Sequence, residues 1–200
     1  MSVANSLKQA KGPLTPTGVA DVASEPFAAS EPMSHWHETL SDGSQVLIRP
    51  MRKGDADLER AFIERLSPES RWYRFLGHTK VSNDMLKRLT DIDYQREVAF
   101  VALRHDAGEK KEIGVSRFCI SADGSSCECA VVVSDEWQGK GLGHLLMRLL
   151  IDVARRRGIK HMFSVDSAGN QQMSDLAASL GFTRKANHDY PSEVTYNLDL

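Results

Sequence analysis

Apolar residues in the second half of the chain recur at two different periods. From Leu142 they continue as Leu145, Leu146, Leu149, Leu150 and Val153, a spacing that lays one buried face along a helix. Arg155, Arg156 and Arg157 fill its last turn, where cations suit the negative helix end, and Gly158 closes it. His161–Val165 reads as a strand. Asn170 can cap a second helix bearing Met173, Leu176, Ala177 and Leu180, which Gly181 ends. Val194, Tyr196, Leu198 and Leu200 alternate and predict a final strand.

The first half is more broken. Val46-Leu47-Ile48 predicts a short strand before Arg49-Pro50. Asp55 or Asp57 can start a helix with Leu58, Ala61, Phe62 and Leu66 on one face. Ser67-Pro68-Glu69 opens a short helix, with Ser as cap and Pro at the first helical position. Ser82–Thr90 predicts another. Strands follow at Val98–Leu103, Ile113–Ile120 and Cys127–Val133, joined by turns at Ala107-Gly108 and Asp123-Gly124. The order is that of a single mixed α/β or α+β domain, antiparallel hairpins preceding a strand–helix–strand unit.

Composition sharpens this picture at the N-terminus. Pro13, Pro16, Pro26 and Pro32 lie in a stretch of Ala, Ser, Thr and Gly, which cannot bury enough apolar surface to offset its chain entropy. The expected division is a disordered tail at residues 1–40 and one folded domain at 41–200. Charge changes less: 25 basic against 27 acidic residues argue against a nucleic-acid or membrane binder. No apolar run approaches a membrane span. Three cysteines, Cys119, Cys127 and Cys129, do not make a disulfide framework, and a cytoplasmic location is expected.

The chemistry concentrates in Ala130-Val131-Val132-Val133-Ser134-Asp135-Glu136-Trp137-Gln138-Gly139-Lys140-Gly141-Leu142-Gly143. A buried strand runs into a glycine turn that opens directly into the chain's strongest helix. The helix start offers unpaired N–H donors and a positive dipole end, and glycines let an anion approach them. Such a site suits phosphate, with Lys140 adding positive charge nearby. No Walker string exists, and a dinucleotide fingerprint starting at Gly139 would need glycine where His144 stands. What remains is Gln-x-x-Gly-x-Gly, supplied by Gln138, Gly141 and Gly143.

Here the chain resembles the GNAT superfamily of N-acetyltransferases, on that loop, its flanking strand and helix, and the later Asn170…Leu180-Gly181-Phe182 block. The resemblance covers most of residues 45–200. It implies a mixed, twisted sheet of six to seven strands, flanked by helices and splayed between two parallel central strands, Cys127–Val133 and His161–Val165. The implied co-substrate is acetyl-CoA, with no metal. Its pantetheine arm would lie along Val131, Val132 and Val133, and its pyrophosphate on Gln138, Gly139, Lys140, Gly141, Leu142, Gly143 and His144. Asn170 and Met173 would complete the site. Ile48-Arg49-Pro50, the run Ser67–Phe75 and Asp91-Ile92-Asp93-Tyr94-Gln95-Arg96-Glu97 look like the acetyltransferase domain of bacterial Pat-type protein-lysine acetyltransferases. Such domains are often fused to a synthetase-like or cyclic-nucleotide part, for which this chain leaves no room.

A lysine amine, with a pKa of about 10.4, is mostly protonated at neutral pH, so acyl transfer to it needs a base. Glu128, on the strand leading to the glycine turn, resembles the general base of several GNAT enzymes. Its alternative reading is a solvated carboxylate at a strand start. Asp135 and Glu136 are competitors, read as solvating the turn. Direct attack of the amine is expected; Cys119, Cys127 and Cys129 read better as core residues than as nucleophiles. Many GNAT enzymes carry a Tyr seven residues after the Asn as acid for the leaving thiolate. That position is Ala177 here, and His144 and Ser174 are the local candidates left. Arg71, Arg74 and Tyr94 could shape an acceptor groove or brace the short helices, and Trp72 and Phe75 read as packing. The expected acceptor is a protein or small-molecule amine; the third reading is an acyl-CoA sensor without turnover.

Overall fold

The computed structural model describes residues 35–77, 80–106 and 108–200. The Pro-rich stretch 1–34 and Ala107 of the expected turn lie outside them. Eight strands and five α-helices are present among the described residues. They follow the order β1 (Trp36–Thr39), β2 (Gln45–Pro50), α1 (Ala56–Arg65), α2 (Pro68–Phe75), α3 (Asn83–Thr90), β3 (Glu97–Asp106), β4 (Glu109–Ile120), β5 (Ser126–Val133), α4 (Leu142–Arg156), β6 (His161–Ser167), α5 (Gln171–Ser179), β7 (Thr183–Ala186) and β8 (Glu193–Asp199).

All strands join one sheet in the order β1-β2-β3-β4-β5-β6-β8-β7. Eight strands exceed the expected six to seven, and β1 and β7 are the two that no apolar pattern predicts. β1 lies inside the segment assigned to the tail: Trp36 pairs with Ile48 and packs edge-on against Phe100, so the ordered sheet starts before residue 40. β7 is an exposed edge strand, Thr-Arg-Lys-Ala, with no apolar period to announce it.

The β5–β6 pair is parallel, and its neighbours in the sheet are antiparallel. Its pairing is short: Ser126↔His161, Cys127↔Met162 and Glu128↔Phe163. β5 continues to Val133 bound to β4 alone, and β6 continues to Ser167 bound to β8 alone. The sheet therefore opens beyond Glu128, leaving a strand edge that calls for hydrogen-bonding partners.

Two apolar layers sandwich the sheet. On one face α4 buries Leu142, Leu146, Met147, Leu150 and Ile151, joined by Met173 and Ala177 of α5. On the other, Phe62 and Ile63 of α1, Phe75 of α2 and Leu86 and Leu89 of α3 cover Ala99, Val101 and Val115. α4 comes very close at Gly114 of β4, where a Cβ would stand 3.2 Å from Leu146 Cδ1 and 3.3 Å from the Val132 carbonyl oxygen. This glycine allows the helix, and the turn before it, to seat directly on the sheet.

Candidate active site

The strand-to-helix turn is built from both ends. Ser134 leads into a short 3-10 turn at Asp135–Trp137, and Gly139 and Gly141 take positive φ of 72° and 88°, a region open to glycine. Gly141 is the N-cap of α4 and provides no side chain to the N–H groups of the first turn. Those donors border a cavity of about 420 Å³. Val131, Val132, Val133, Gln138, Gly139, Gly141, Gly143, His144, Asn170 and Met173 all line it, as do Ser70, Tyr73 and Arg74 of α2 and Asp166 of β6.

Two of the expected loop residues fall elsewhere. Leu142 is 1% exposed and belongs to the core, as the first apolar position of α4 must. Lys140 turns away from the cavity: its Nζ is 3.0 Å from Asp42 Oδ2 and 4.6 Å from the Trp137 ring centre. The Ser41 N–H and hydroxyl both donate to the Lys140 carbonyl. Asp42, in the β1–β2 turn, is held at a pKa of about 2 by hydrogen bonds from the Ser44 N–H and Lys140. The first hairpin thus braces the glycine turn, and the lysine charge is spent on that brace.

Gln138 also works within the protein, its Nε2 donating to the Val133 carbonyl at 3.1 Å and to Ser70 Oγ at 3.3 Å. Asp135 does more than face solvent. It accepts from the Ser67 N–H, Ser67 Oγ and Ser70 Oγ at 2.9, 2.7 and 2.7 Å, anchoring the start of α2 on the turn. Partial burial opposes its ionisation, but these donors pull its pKa below the usual carboxylate value. α2 is thereby laid across the open split of the sheet. Arg71 of α2 donates to the Ile63 and Glu64 carbonyls, tying it to α1. Trp72, expected to pack, is 45% exposed.

A small cleft of about 30 Å³ adjoins the large cavity between β5 and β6. The two share Tyr73, Arg74, Val131, Asp166 and Met173, and the cleft runs on to Glu128. Asn170 caps α5 through its Oδ1, accepting from the Met173 N–H at 3.1 Å, while its Nδ2 donates to Asp166 Oδ1 at 3.1 Å. Burial raises the Asp166 pKa to about 6 against the pull of Asn170, the Ser167 N–H and Arg74. Arg74 is buried, and desolvation, helped by Arg117, lowers its pKa to about 10.

Glu128 is 5% exposed, which rules out the solvated strand-start reading. Register sets its neighbours: Glu97 pairs with Cys119, and Cys119 with Glu128, a row across β3, β4 and β5. This row borders a second large cavity of about 490 Å³, lined also by Arg88, Asp91, Arg117 and Phe163. Glu128 lines both this cavity and the small cleft. Burial raises the Glu97 pKa, with Arg117 opposing. Burial also raises the thiols, Cys127 to about 12, so none of the three is a ready thiolate.

Other candidates have structural duties. The Tyr94 hydroxyl donates to the Met51 and Ala99 carbonyls. Arg157, expected only as a cation suited to the helix end, donates to the Tyr94 and Gln95 carbonyls, because the end of α4 packs over that loop. His144 Nδ1 lies 3.2 Å from Ser179 Oγ, and Ser174 does not line the large cavity. Ala177 is buried in the core. No group of three or more His, Cys, Asp or Glu suited to a metal occurs among the described residues.

A sheet that opens between its parallel strands, with a glycine turn and helix start at the mouth, defines an acyltransferase architecture. Residues 61–182 match the model of the acetyltransferase (GNAT) family, and the chain belongs to that family. It is an N-acetyltransferase, of a family that uses acetyl-CoA. It is 51% identical over 178 residues to acetyltransferase PA5475 of Pseudomonas aeruginosa, covering 88% of this chain and 95% of that protein. It is 26% identical over 140 residues to acetyltransferase Pat of Mycolicibacterium smegmatis, covering 70% of this chain but 41% of Pat. Among solved structures, the GNAT domain of S. lividans PAT superposes with a TM-score of 0.74 at 28% identity, covering 83% of this chain and 97% of that domain.

Proposed function

We propose that the protein transfers an acetyl group from acetyl-CoA to the side-chain amine of a protein lysine, with Glu128 as general base. The observation that carries this is the position of Glu128, buried where the small cleft reaches the second large cavity. The pyrophosphate of acetyl-CoA would take the N–H groups at the start of α4, and pantetheine the open edge of β5. The acetyl group would then end in the cleft, and the amine would arrive through the 490 Å³ cavity. Asp91, Glu97 and Glu128 border that cavity together with Arg88 and Arg117, so its lining offers an amine carboxylate acceptors among charges of both signs. At neutral pH the amine arrives as ammonium and must lose a proton before it can attack the thioester carbon. Glu128, directly or through one water, is the group in position to take it.

The likeness to Pat and to the S. lividans PAT domain accords with the Pat-type resemblance of the sequence, which is what implies a lysine acceptor. Free thiols at all three cysteines accord with a reducing cytoplasm as the site of action. Among the described residues no helix is long and apolar enough to cross a membrane. The test is an acceptor screen: protein, acetyl-CoA and either cell lysate or a small-amine panel, read by thiol release and acetyl-lysine mass spectrometry. New acetyl-lysine peptides are expected. Thiol release with polyamines, amino acids or amine antibiotics alone would replace the lysine by a small amine.

A further inference from the structure

We propose that Asp166 is the proton donor to the departing coenzyme A sulfur. The inference rests on the acyl-transfer reading above and concerns the opposite end of the same reaction. The large cavity and the small cleft meet at Tyr73, Arg74, Val131, Asp166 and Met173. An acetyl group within reach of an amine held by Glu128 puts its carbonyl carbon in the cleft. The sulfur, one bond behind, then lies at this junction.

Of the five junction residues, Tyr73 and Asp166 carry a proton suited to transfer. The Tyr73 hydroxyl already donates to Glu69 Oε1 at 3.1 Å and the Gly169 carbonyl at 3.4 Å, which hold it on the rim. The hydrogen bond to Glu69, with a smaller push from desolvation, also raises its pKa, the wrong direction for a donor. Asp166 is arranged differently. Both of its hydrogen bonds, from Asn170 Nδ2 and the Ser167 N–H, end on Oδ1. Oδ2 takes part in neither and is the oxygen left to carry a proton, in a residue that lines both the cavity and the cleft. Its charged surroundings are the Arg74 guanidinium from α2 and, across the cleft, Glu128 from β5. Burial holds part of the carboxyl population protonated near neutrality, despite the pull of Arg74.

The step balances. The ammonium first loses one proton through Glu128 to solvent; the amine nitrogen then forms a bond to the carbonyl carbon and gives a second proton to Glu128. The carbon–sulfur bond breaks, its electron pair stays on sulfur, and the Asp166 proton moves to sulfur to give the free thiol. Asp166 is reprotonated from solvent through the open large cavity.

The test compares wild type with Asp166→Asn, which keeps an Oδ1 acceptor for Asn170 and Ser167, and with Asp166→Glu. The first readout is the pKa of the thiol of bound coenzyme A, followed by thiolate ultraviolet absorbance against the ligand-free protein. In the range where the thiol titrates Asp166 is ionised, and a carboxylate beside the sulfur disfavours the thiolate, so Asp166→Asn should lower that pKa by about one unit. The second is steady-state kinetics. Asp166→Asn should lower kcat about tenfold or more, with the acetyl-CoA Kd within about threefold, and Asp166→Glu should recover part of the loss. An unchanged thiol pKa, or a loss confined to Kd, would overturn the assignment and leave Asp166 as a brace for Asn170. Failure of coenzyme A to bind wild type would instead overturn the acyl-CoA reading, and this assignment with it.

Discussion

Replacing Gly143 by Glu tests the anion site at the start of α4. Gly143 is the second residue of that helix and lines the large cavity. A Cβ there meets Leu176 Cδ2 at 3.4 Å and Val133 Cγ2 at 3.7 Å, ordinary contacts, so the backbone can accept a side chain. A carboxylate near the helix start also suits the dipole, which protects the fold. The same carboxylate would compete for the N–H groups and repel a bound pyrophosphate. At about 5 Å and an effective dielectric of about 20, one pair of like charges costs about 3 kcal/mol. That corresponds to a loss of about 150-fold in affinity. Calorimetry with acetyl-CoA reads it directly. Acetyl-pantetheine, which lacks the pyrophosphate, should bind Gly143→Glu and wild type alike. Gly143→Ala should keep affinity within a few-fold and melt no lower than wild type, since Ala favours a helix over Gly. Full-strength binding of acetyl-CoA to Gly143→Glu, or equal losses for both ligands, would refute the placement of the pyrophosphate.

Two further substitutions probe the scaffold. Glu112 of β4 is buried beside Glu59, and burial, then Glu59, raises its pKa well above the usual value. The folded state thus holds a proton that the unfolded chain releases first, and wild-type stability falls as pH rises between those two pKa values. Glu112→Gln should therefore match wild type in thermal melts at about pH 4 and exceed it at about pH 7; equal melting at both would contradict the buried acid. Asp135→Ala removes the acceptor for three hydrogen bonds that anchor α2, at a cost of about 2 kcal/mol. Because α2 carries Tyr73 and Arg74 to the cavity, KM for acetyl-CoA should rise as well; an unchanged KM would detach α2 from the site.

The legible parts of this molecule are those encoded locally. The apolar period of α4, the glycines before it and the Asn170 cap each lie within a few residues, and the sheet's opening falls between the two strands expected to be parallel. The short edge strands β1 and β7 are hidden, because four residues are too few to show an apolar period and all four of β7 are exposed. Residues whose work depends on distant partners are hidden too. Lys140 meets Asp42 across nearly a hundred positions, so sequence assigns its charge to the ligand while the fold gives it to the first hairpin. Tyr94, Arg71 and Arg157 satisfy backbone carbonyls that only the tertiary arrangement brings near. Glu97 joins Glu128 through register across β4, and Asp166 reaches the junction through the split itself. Neither has a motif to mark it.

The most direct test of the account is the pH dependence of thiol release from acetyl-CoA with a lysine peptide, for wild type and Glu128→Gln. A missing base costs most when the amine is protonated. Glu128→Gln should lose about a hundredfold or more in turnover near neutrality and recover part of it as pH approaches the amine pKa, with acetyl-CoA affinity retained. Turnover equal to wild type at every pH would contradict the role of Glu128 between the two cavities.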